Sequence, residues 1–209
     1  METSKWDKAY LNDSKSLESW LYGSQSLQGA TRSWLITWLK DHLGKTFLDA
    51  GCGGGVTAYH LGQNKMLTKF AYTGVDSSEA MLELAKRKVK GPAKWVQMDL
   101  NELALQRKFD IVLLRAILAH VNDPKPVLEK VCEHVAENGY LIVLFWNNPA
   151  QGETIFGTSS IHTPDNAHSE NALKQIIDDA DMRIYESFKI DEPAARDQNY
   201  RTIWLIRHK

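Results

Sequence analysis

The stretch Phe47-Leu48-Asp49-Ala50-Gly51-Cys52-Gly53-Gly54-Gly55 carries a short apolar run into a turn with four glycines in five positions. Thr46-Phe47-Leu48 is strand-like and stops at Asp49, and Val56 to Leu61 begins a helix. Glycines at a strand-to-helix turn permit positive φ and let a ligand approach the backbone. Amide N–H groups and a helix N-terminus at such a turn favour a negatively charged ligand group. Gly53-x-Gly55-x-x-Ala58, with Asp76 about 20 residues further on, also satisfies the dinucleotide-binding pattern. Asp49 weighs against that ligand, because an acid just before the glycines repels a pyrophosphate and suits an amino or sulfonium group.

Downstream, short apolar runs alternate with amphipathic ones. Phe70 to Val75 reads as a strand stopping at Asp76, and Lys94 to Met98 as a strand stopping at Asp99. Ser78 to Val89 and Pro126 to Ala136 read as helices, and Phe109 to Leu114 and Tyr140 to Phe145 as strands. Alternation of this kind predicts βαβ units and a parallel sheet with helices on both faces. The near-continuous apolar runs Ile111 to Leu114 and Leu141 to Phe145 fit strands covered on both sides. Ser169 is a good N-cap for a helix to about Ala180. Met182 to Ile190 and Tyr200 to Arg207 then follow with no helix between them, so they must pair antiparallel. Asn147 to Ser169 reads as a loop of about 20 residues, a length that is usually functional.

Upstream, the first 44 residues read as helical. Trp20, Leu21, Leu27, Trp34, Leu35, Trp38, Leu39 and Leu43 recur at spacings of three and four, with a break at Tyr22-Gly23-Ser24 and a stop at Gly44. Four of the seven tryptophans, Trp6, Trp20, Trp34 and Trp38, lie here. Trp34, Trp38 and Trp204 are expected in the core.

The whole chain of 209 residues has the size of one domain. With 43% apolar and 24% charged residues and a net charge of -1, it has the composition of an ordinary globular protein, not of a disordered one. No apolar run approaches the ~20 residues that span a bilayer. METSKWDKAY lacks the pattern of a signal peptide, and Cys52 and Cys132 are too few for a disulfide framework or a CxxC metal site. A cytoplasmic location is the expectation. The balanced charge speaks against nucleic acid as the main partner, and the run Lys86-Arg87-Lys88 reads as a solvated helix face.

Taken together, the motifs resemble the class I S-adenosylmethionine-dependent methyltransferases. LDAGCGGG (48–55) looks like the first motif of that family, YTGVDSSEAML (72–82) the second, VQMDL (96–100) the third, FDIVLLRAILAHV (109–121) the fourth and ENGYLIVLFW (137–146) the fifth. The resemblance implies an α/β, three-layer Rossmann-like sandwich. Its seven-stranded, mostly parallel sheet has the order 3-2-1-4-5-7-6, with strand 7 antiparallel. Residues 1–209 then form a single domain, with 1–44 as a helical lid and 45–209 as the Rossmann-like core. The implied cofactor is S-adenosyl-L-methionine. In that scheme Asp49 and the Gly51 and Gly53 backbone hold its methionine part, and Asp76 accepts both ribose hydroxyls. Ser77 and Met81 border the adenine, Asp99 accepts from its amino group, the Leu100 amide faces a ring nitrogen, and the Arg115 backbone lies near the methionine amine. Leu21-Tyr22-Gly23, Gly29 and Arg32 resemble the tRNA wobble-uridine carboxymethyl methyltransferases. That match implies that Tyr22 and Arg32 close over the cofactor, with Arg32 on its carboxylate.

Methyl transfer is an in-line displacement, so the protein must position the acceptor, exclude water and, for a weak acceptor, remove a proton. His120, after the fourth strand, is the candidate base. Trp6, Trp20, Trp146 and Phe156 are the candidate walls of the acceptor pocket. Arg115-Ala116-Ile117 after the fourth strand is not an Asn/Asp-Pro-Pro-aromatic motif, and Asn147-Asn148 is not the Asp-Asn of a magnesium-dependent site. His162, Asp165 and His168 fit no standard metal spacing, so no metal is expected. The favoured expectation is methyl transfer to O or N of a small molecule, by a monomer or dimer with no membrane partner. The alternatives are a modified tRNA nucleoside as acceptor, a nicotinamide-dependent oxidoreductase, and a cofactor-binding protein without catalysis.

Overall fold

The computed structural model describes residues 7–8, 12–22, 29–148, 154–155, 168–191 and 200–209. It divides into two compact units, residues 1–100 and 101–209. The first unit contains α1 (Ser14–Tyr22), α2 (Gly29–Lys40), β1 (Thr46–Ala50), α3 (Val56–Gln63), β2 (Ala71–Asp76), α4 (Glu79–Lys88) and β3 (Lys94–Gln97). β1 pairs parallel with β2, and β2 parallel with β3, so the local order is 3-2-1. Asp49 and Asp76 therefore sit at the carboxyl ends of neighbouring strands, and Asp99 two residues beyond the third. Ligands gather at that edge of an open α/β sheet.

Tight packing explains two of the glycines. A Cβ on Gly74 would lie 2.6 Å from Cζ3 of Trp95 and 2.9 Å from Sγ of Cys52. A Cβ on Gly55 would lie 2.8 Å from Cη2 of Trp95 and 2.9 Å from Cβ of Ala85. The Trp95 ring of β3 thus fills the space that β2 and the turn leave by lacking side chains. Around it, Phe47, Leu48, Val75, Leu61 and Leu84 are buried. Ser78 caps α4, its hydroxyl accepting from Met81 N at 3.2 Å. Lys86, Arg87 and Lys88 close the last turn of α4, the favourable end of the helix dipole. Lys86 pairs with Glu83, and Arg87 and Lys88 both pair with Glu18 of α1.

The second unit contains β4 (Phe109–Arg115), α5 (Pro124–Glu133), β5 (Val135–Asn148), β6 (Thr154–Ile155), β7 (His168–Ser169), α6 (Glu170–Asp179), β8 (Met182–Asp191) and β9 (Tyr200–His208). β4 and β5 are parallel, and β9 runs antiparallel to both β5 and β8. The local order β4-β5-β9-β8 is the expected 4-5-7-6 with the last strand reversed. Phe145 and Trp204 meet edge to face, centroids 4.7 Å apart, and Leu173 and Ile177 of α6 are also buried.

Three sequence expectations change. The fifth strand begins at Val135, not Tyr140, because α5 ends at Glu133 and a bulge between Phe109 and Ile111 absorbs the extra residues. Gly139 is required there, since a Cβ would lie 2.9 Å from the carbonyl oxygens of Phe109 and Asp110. The segment expected to be one long loop carries β6 and β7, which pair antiparallel with each other and extend β5. Two-residue strands have no periodicity to detect. Trp204 is core, at 1% exposure, but Trp34 and Trp38 are only half-buried. They stack with His42 as a ladder of rings along α2, while Leu35, Ile36 and Leu39 of the same helix are buried. Spacing by four places residues on one face without saying which face turns inward.

Candidate functional site

The glycine turn is shaped by its own hydrogen bonds. Gly51, Gly53 and Gly55 have φ of 74°, 51° and 76°, values that only glycine adopts at no cost. Gly51 N and Cys52 N both donate to Val75 O, at 2.8 and 2.9 Å. Gly53 N donates to Oδ2 of Asp76 at 2.7 Å, and Gly55 N to Cys52 O at 3.0 Å. Four amide donors are therefore committed within the fold. These four amides point into β2 and into the turn itself and are not available to an anion.

The acids dominate the local electrostatics. Asp49 is 2% exposed and accepts from the Tyr72 hydroxyl at 2.5 Å. Tyr72, stacked on Phe47, escapes sequence reading because it has the pattern of an ordinary core strand residue. Asp76 accepts at both oxygens, from Gly53 N and from Ser78 N at 2.9 Å. Each oxygen keeps a second lone pair, so these bonds aim the carboxylate without exhausting it. Burial pushes the Asp76 carboxyl above its ordinary value, the two backbone donors pull it back, and the charges of Asp49 and Asp7 add to the rise. Asp7, which the sequence did not single out, accepts from the Ser78 hydroxyl at 2.6 Å and from Ala80 N at 3.0 Å. An acid from the N-terminal segment thus completes the cap of α4. The donor set is one of carboxylates and committed amides, which fits a cationic sulfonium and a ribose diol far better than a pyrophosphate.

Of the other expected residues in the first unit, Met81 and Tyr22 touch this turn. Cε of Met81 would lie 3.4 Å from a Cβ on Gly53, and Met81 packs with Leu17 and Leu84. Ser77 is exposed, with its carbonyl accepting from Nε2 of Gln97 at 3.2 Å. Asp99 is exposed and Leu100 buried, at the start of the 3-10 turn Leu100–Glu102. The Tyr22 hydroxyl donates to Gly54 O, and burial pushes its phenol well above the ordinary value, so it stays a donor. Arg32 meets His60 across α2 and α3, Nη1 to Nε2, at 3.2 Å.

In the second unit Arg115 ends β4 half-buried. Ala116 takes φ of 57°, with its N–H on Leu144 O at 2.8 Å. His120 ends the 3-10 turn Leu118–His120. His168 contacts the carbonyl oxygens of Leu118 and Val121, 2.9 and 3.0 Å from Nε2, so it props this turn. His162 and Asp165 lie outside the described residues, and no metal-holding group of three occurs among the described ones. Of the aromatic candidates, Trp6 and Phe156 lie outside the described residues. Trp20 and Trp146 are placed on α1 and β5 by backbone alone.

Tyr72→Phe tests the Asp49 contact. Removing the hydroxyl leaves a buried carboxylate short of one donor, so a stability loss of about 1–2 kcal/mol is expected in urea denaturation. An unchanged midpoint would refute the role given to Tyr72.

A family model described as "Methyltransferase domain" matches residues 41–195. Among characterised relatives, the mitochondrial ubiquinone biosynthesis O-methyltransferase of Schizosaccharomyces pombe is 30% identical over 106 residues, 48% of this chain and 37% of its own length. The malonyl-[acyl-carrier protein] O-methyltransferase of Anoxybacillus flavithermus is 26% identical over 148 residues, 70% of this chain and 52% of its own length. The chain thus spans about half or less of the curated relatives it matches. Among solved structures, magnesium protoporphyrin IX methyltransferase from Synechocystis PCC 6803 with bound SAH superimposes with a TM-score of 0.69 at 19% identity, covering 96% of this chain and 97% of that one.

Proposed function

The chain belongs to the methyltransferase-domain family of class I S-adenosylmethionine-dependent enzymes, and we propose that it moves a methyl group from S-adenosyl-L-methionine to an O or N atom of a small-molecule acceptor. One observation carries the choice of cofactor over a nicotinamide dinucleotide. The amides of Gly51, Cys52 and Gly53 donate to Val75 and Asp76, and the buried carboxylates of Asp49 and Asp76 put negative charge beside the turn, which repels a pyrophosphate and suits a sulfonium.

In this reading Asp76 takes the ribose hydroxyls, with Gly53 N and Ser78 N holding it in place. Asp49, steadied by Tyr72, and the carbonyl side of the Gly51–Gly53 turn hold the methionine amine, with the Arg115 backbone nearby. Arg32 takes the methionine carboxylate, and Tyr22 anchors α1 on the turn. Ser77, Met81, Asp99 and the Leu100 amide surround the adenine. When bound, the cofactor supplies a methyl group already activated by its sulfonium. The protein's remaining tasks are to exclude water, align the acceptor and, where the acceptor is weakly nucleophilic, accept its proton at His120. Residues 1–44 act as a lid over the site, and Trp6, Trp20, Trp146 and Phe156 supply apolar walls for the acceptor.

An O-acceptor is the first class to examine, because the similar proteins named above are a ubiquinone biosynthesis O-methyltransferase and a malonyl-[acyl-carrier protein] O-methyltransferase. A cytoplasmic location goes with this reading. Both cysteines are buried, and no helix among the described residues is long and apolar enough to cross a membrane.

Calorimetry with S-adenosyl-L-methionine, S-adenosylhomocysteine and NAD tests the cofactor, and label transfer from methyl-labelled cofactor tests the acceptor. Phenols, carboxylic acids, amines and bulk tRNA are the panel. Micromolar binding of the first two ligands without NAD is expected, with label passing to a small molecule. Preferential NAD binding would overturn the cofactor reading, and label passing only to tRNA would overturn the acceptor class.

A further inference from the structure

Charge in the first unit is sorted between the two ends of its strands. The acids Asp49, Asp76 and Asp99 stand at or just beyond the carboxyl ends of β1, β2 and β3. At the amino ends the sign reverses. Residues 40–45, 64–70 and 89–94 carry the chain out of α2, α3 and α4 into β1, β2 and β3, and together they hold six lysines and one acid, Asp41. The three strands are parallel, so these connections emerge at one edge. They are stitched together there. Gly44 N donates to Lys69 O at 2.8 Å, and Ala71 N to Lys45 O at 3.1 Å. The Lys90 carbonyl oxygen lies 3.7 Å from where a Cβ on Gly62 would stand, and Cδ2 of Leu67 lies 3.1 Å from one on Gly91.

Lys40, Lys45, Lys65, Lys69, Lys90 and Lys94 are all exposed, and none of them forms an ion pair among the described residues. Lys86 and Lys88, just before them on α4, are paired with Glu83 and Glu18. Lys40 closes the last turn of α2 and complements its dipole, but Lys45 and Lys94 border strand starts, where no helix end calls for them. Like charges gathered with a single acid repel one another, in a chain whose net charge is only -1. An external anion relieves that repulsion. The same edge carries Leu43, 45% exposed, next to His42, whose ring stacks on that of Trp38 at 3.6 Å. An exposed apolar side chain set between lysines matches the boundary between headgroups and acyl chains. Lysine suits that partner better than arginine does. A point charge on a flexible stem follows a fluid array of headgroups, whereas the planar fork of arginine suits phosphates in fixed places. The two arginines of this unit, Arg32 and Arg87, face His60 and Glu18 instead.

We propose that the amino edge of β1, β2 and β3 is a docking surface for an anionic lipid bilayer, with the six lysines among the headgroups and Leu43 at the acyl boundary. This is attachment to a membrane surface, not a span. It leaves the carboxyl edge, with Asp49 and Asp76, turned away from the bilayer, so cofactor and acceptor arrive from the aqueous side. The proposal stands apart from the cofactor and acceptor readings above.

Co-sedimentation of the full-length protein with vesicles tests it. One set is phosphatidylcholine alone, and the other is equal parts of phosphatidylcholine and phosphatidylserine. Wild type is expected to pellet with the mixed vesicles and not with the neutral ones, and to be released by high salt. Each lysine brought to an anionic leaflet strengthens binding about fivefold, so Lys45→Glu with Lys69→Glu is expected to weaken it about 25-fold or more. Lys125→Glu with Lys130→Glu makes the same change of net charge on α5 and is expected to stay within about twofold of wild type. Leu43→Ser is expected to weaken binding about threefold. An unchanged urea midpoint reports an intact fold in each variant. If Lys45→Glu with Lys69→Glu lowers that midpoint, Lys65→Glu with Lys90→Glu carries the same expectation. No pelleting with the mixed vesicles, equal pelleting with the neutral ones, or equal losses in the edge and α5 pairs would overturn the proposal. Preferential binding of bulk tRNA or of polyglutamate over the mixed vesicles would give the edge to nucleic acid or to an acidic protein, and would overturn it as well.

Discussion

Asp76→Ala weakens S-adenosyl-L-methionine binding by about tenfold or more, measured by calorimetry at pH 7.5. The estimate follows from the loss of a charged acceptor for two hydroxyls, each such bond contributing about 1.5–3 kcal/mol at best and less after solvent competition. The same variant also releases Gly53 N and Ser78 N, which now donate to Asp76. Ligand contact and turn geometry are lost together, and Asp76→Asn separates them in part by keeping one oxygen. Near-wild-type affinity in Asp76→Ala would remove Asp76 from the site.

A pH dependence accompanies this. Burial holds the Asp76 carboxyl above its ordinary value, with Asp49 and Asp7 adding to the rise. Cofactor binding needs the ionised form, so affinity is full above the folded-state pKa and falls as pH drops through it. The fall begins above the ordinary aspartate value of about 3.9. Stability responds with the opposite sign. A carboxyl whose pKa is raised on folding binds its proton more tightly in the native state. Its contribution is fully present below the unfolded pKa and is lost as pH rises through the folded one. Asp76 thus costs stability at neutral pH in exchange for a charged ligand group. Asp7→Asn removes one of the raising charges, and should shift the binding profile toward lower pH. A profile unmoved by Asp7→Asn, with the substituted side chain still docked on Ser78, would refute the coupling.

Gly74→Ala is expected to destabilise the fold by about 3 kcal/mol, through overpacking. Its Cβ would meet the Trp95 ring at 2.6 and 2.7 Å, and that ring also packs against Gly55 of the turn. Gly55→Ala adds a second cost, since φ of 76° disfavours any side chain by about 1–2 kcal/mol. Trp95→Leu removes the ring contact at both positions but leaves Ala85 2.9 Å from a Cβ on Gly55. It should recover much of the Gly74→Ala loss but only part of the Gly55→Ala loss, because the Ala85 contact and the backbone strain remain. Urea denaturation of the three single and two double variants reads this directly. Equal rescue of both glycines would show that neither positive φ nor the Ala85 contact costs stability at Gly55. With total stabilities of about 5–15 kcal/mol, either single change removes a large share.

Much of the fold was legible in local patterns. The strands ending at Asp49 and Asp76, the helix starting after Gly55 and the antiparallel close at β8 and β9 all follow from periodicity and from residues that only glycine or an acid can replace. Where reading failed, the cause was distance along the chain. The bulge that lets β5 start at Val135 depends on carbonyls of Phe109 and Asp110 meeting Gly139. The β6–β7 hairpin depends on strands of two residues that pair across a gap of a dozen positions.

The site divides along the same line. From sequence alone came the identity of the acids and glycines and their place at strand ends, because a βα turn imposes local constraints that a short stretch must satisfy by itself. Only the tertiary structure decided what those groups face. That Gly51 and Cys52 donate to Val75 is set by the β1–β2 register, which also brings Tyr72 onto Asp49. That Asp7 caps α4, and that His60 meets Arg32, requires residues 73 and 28 positions apart to pack. Hydrogen-bond direction belongs to the packed chain, since a donor has no assigned acceptor until the strands and helices carrying both have docked.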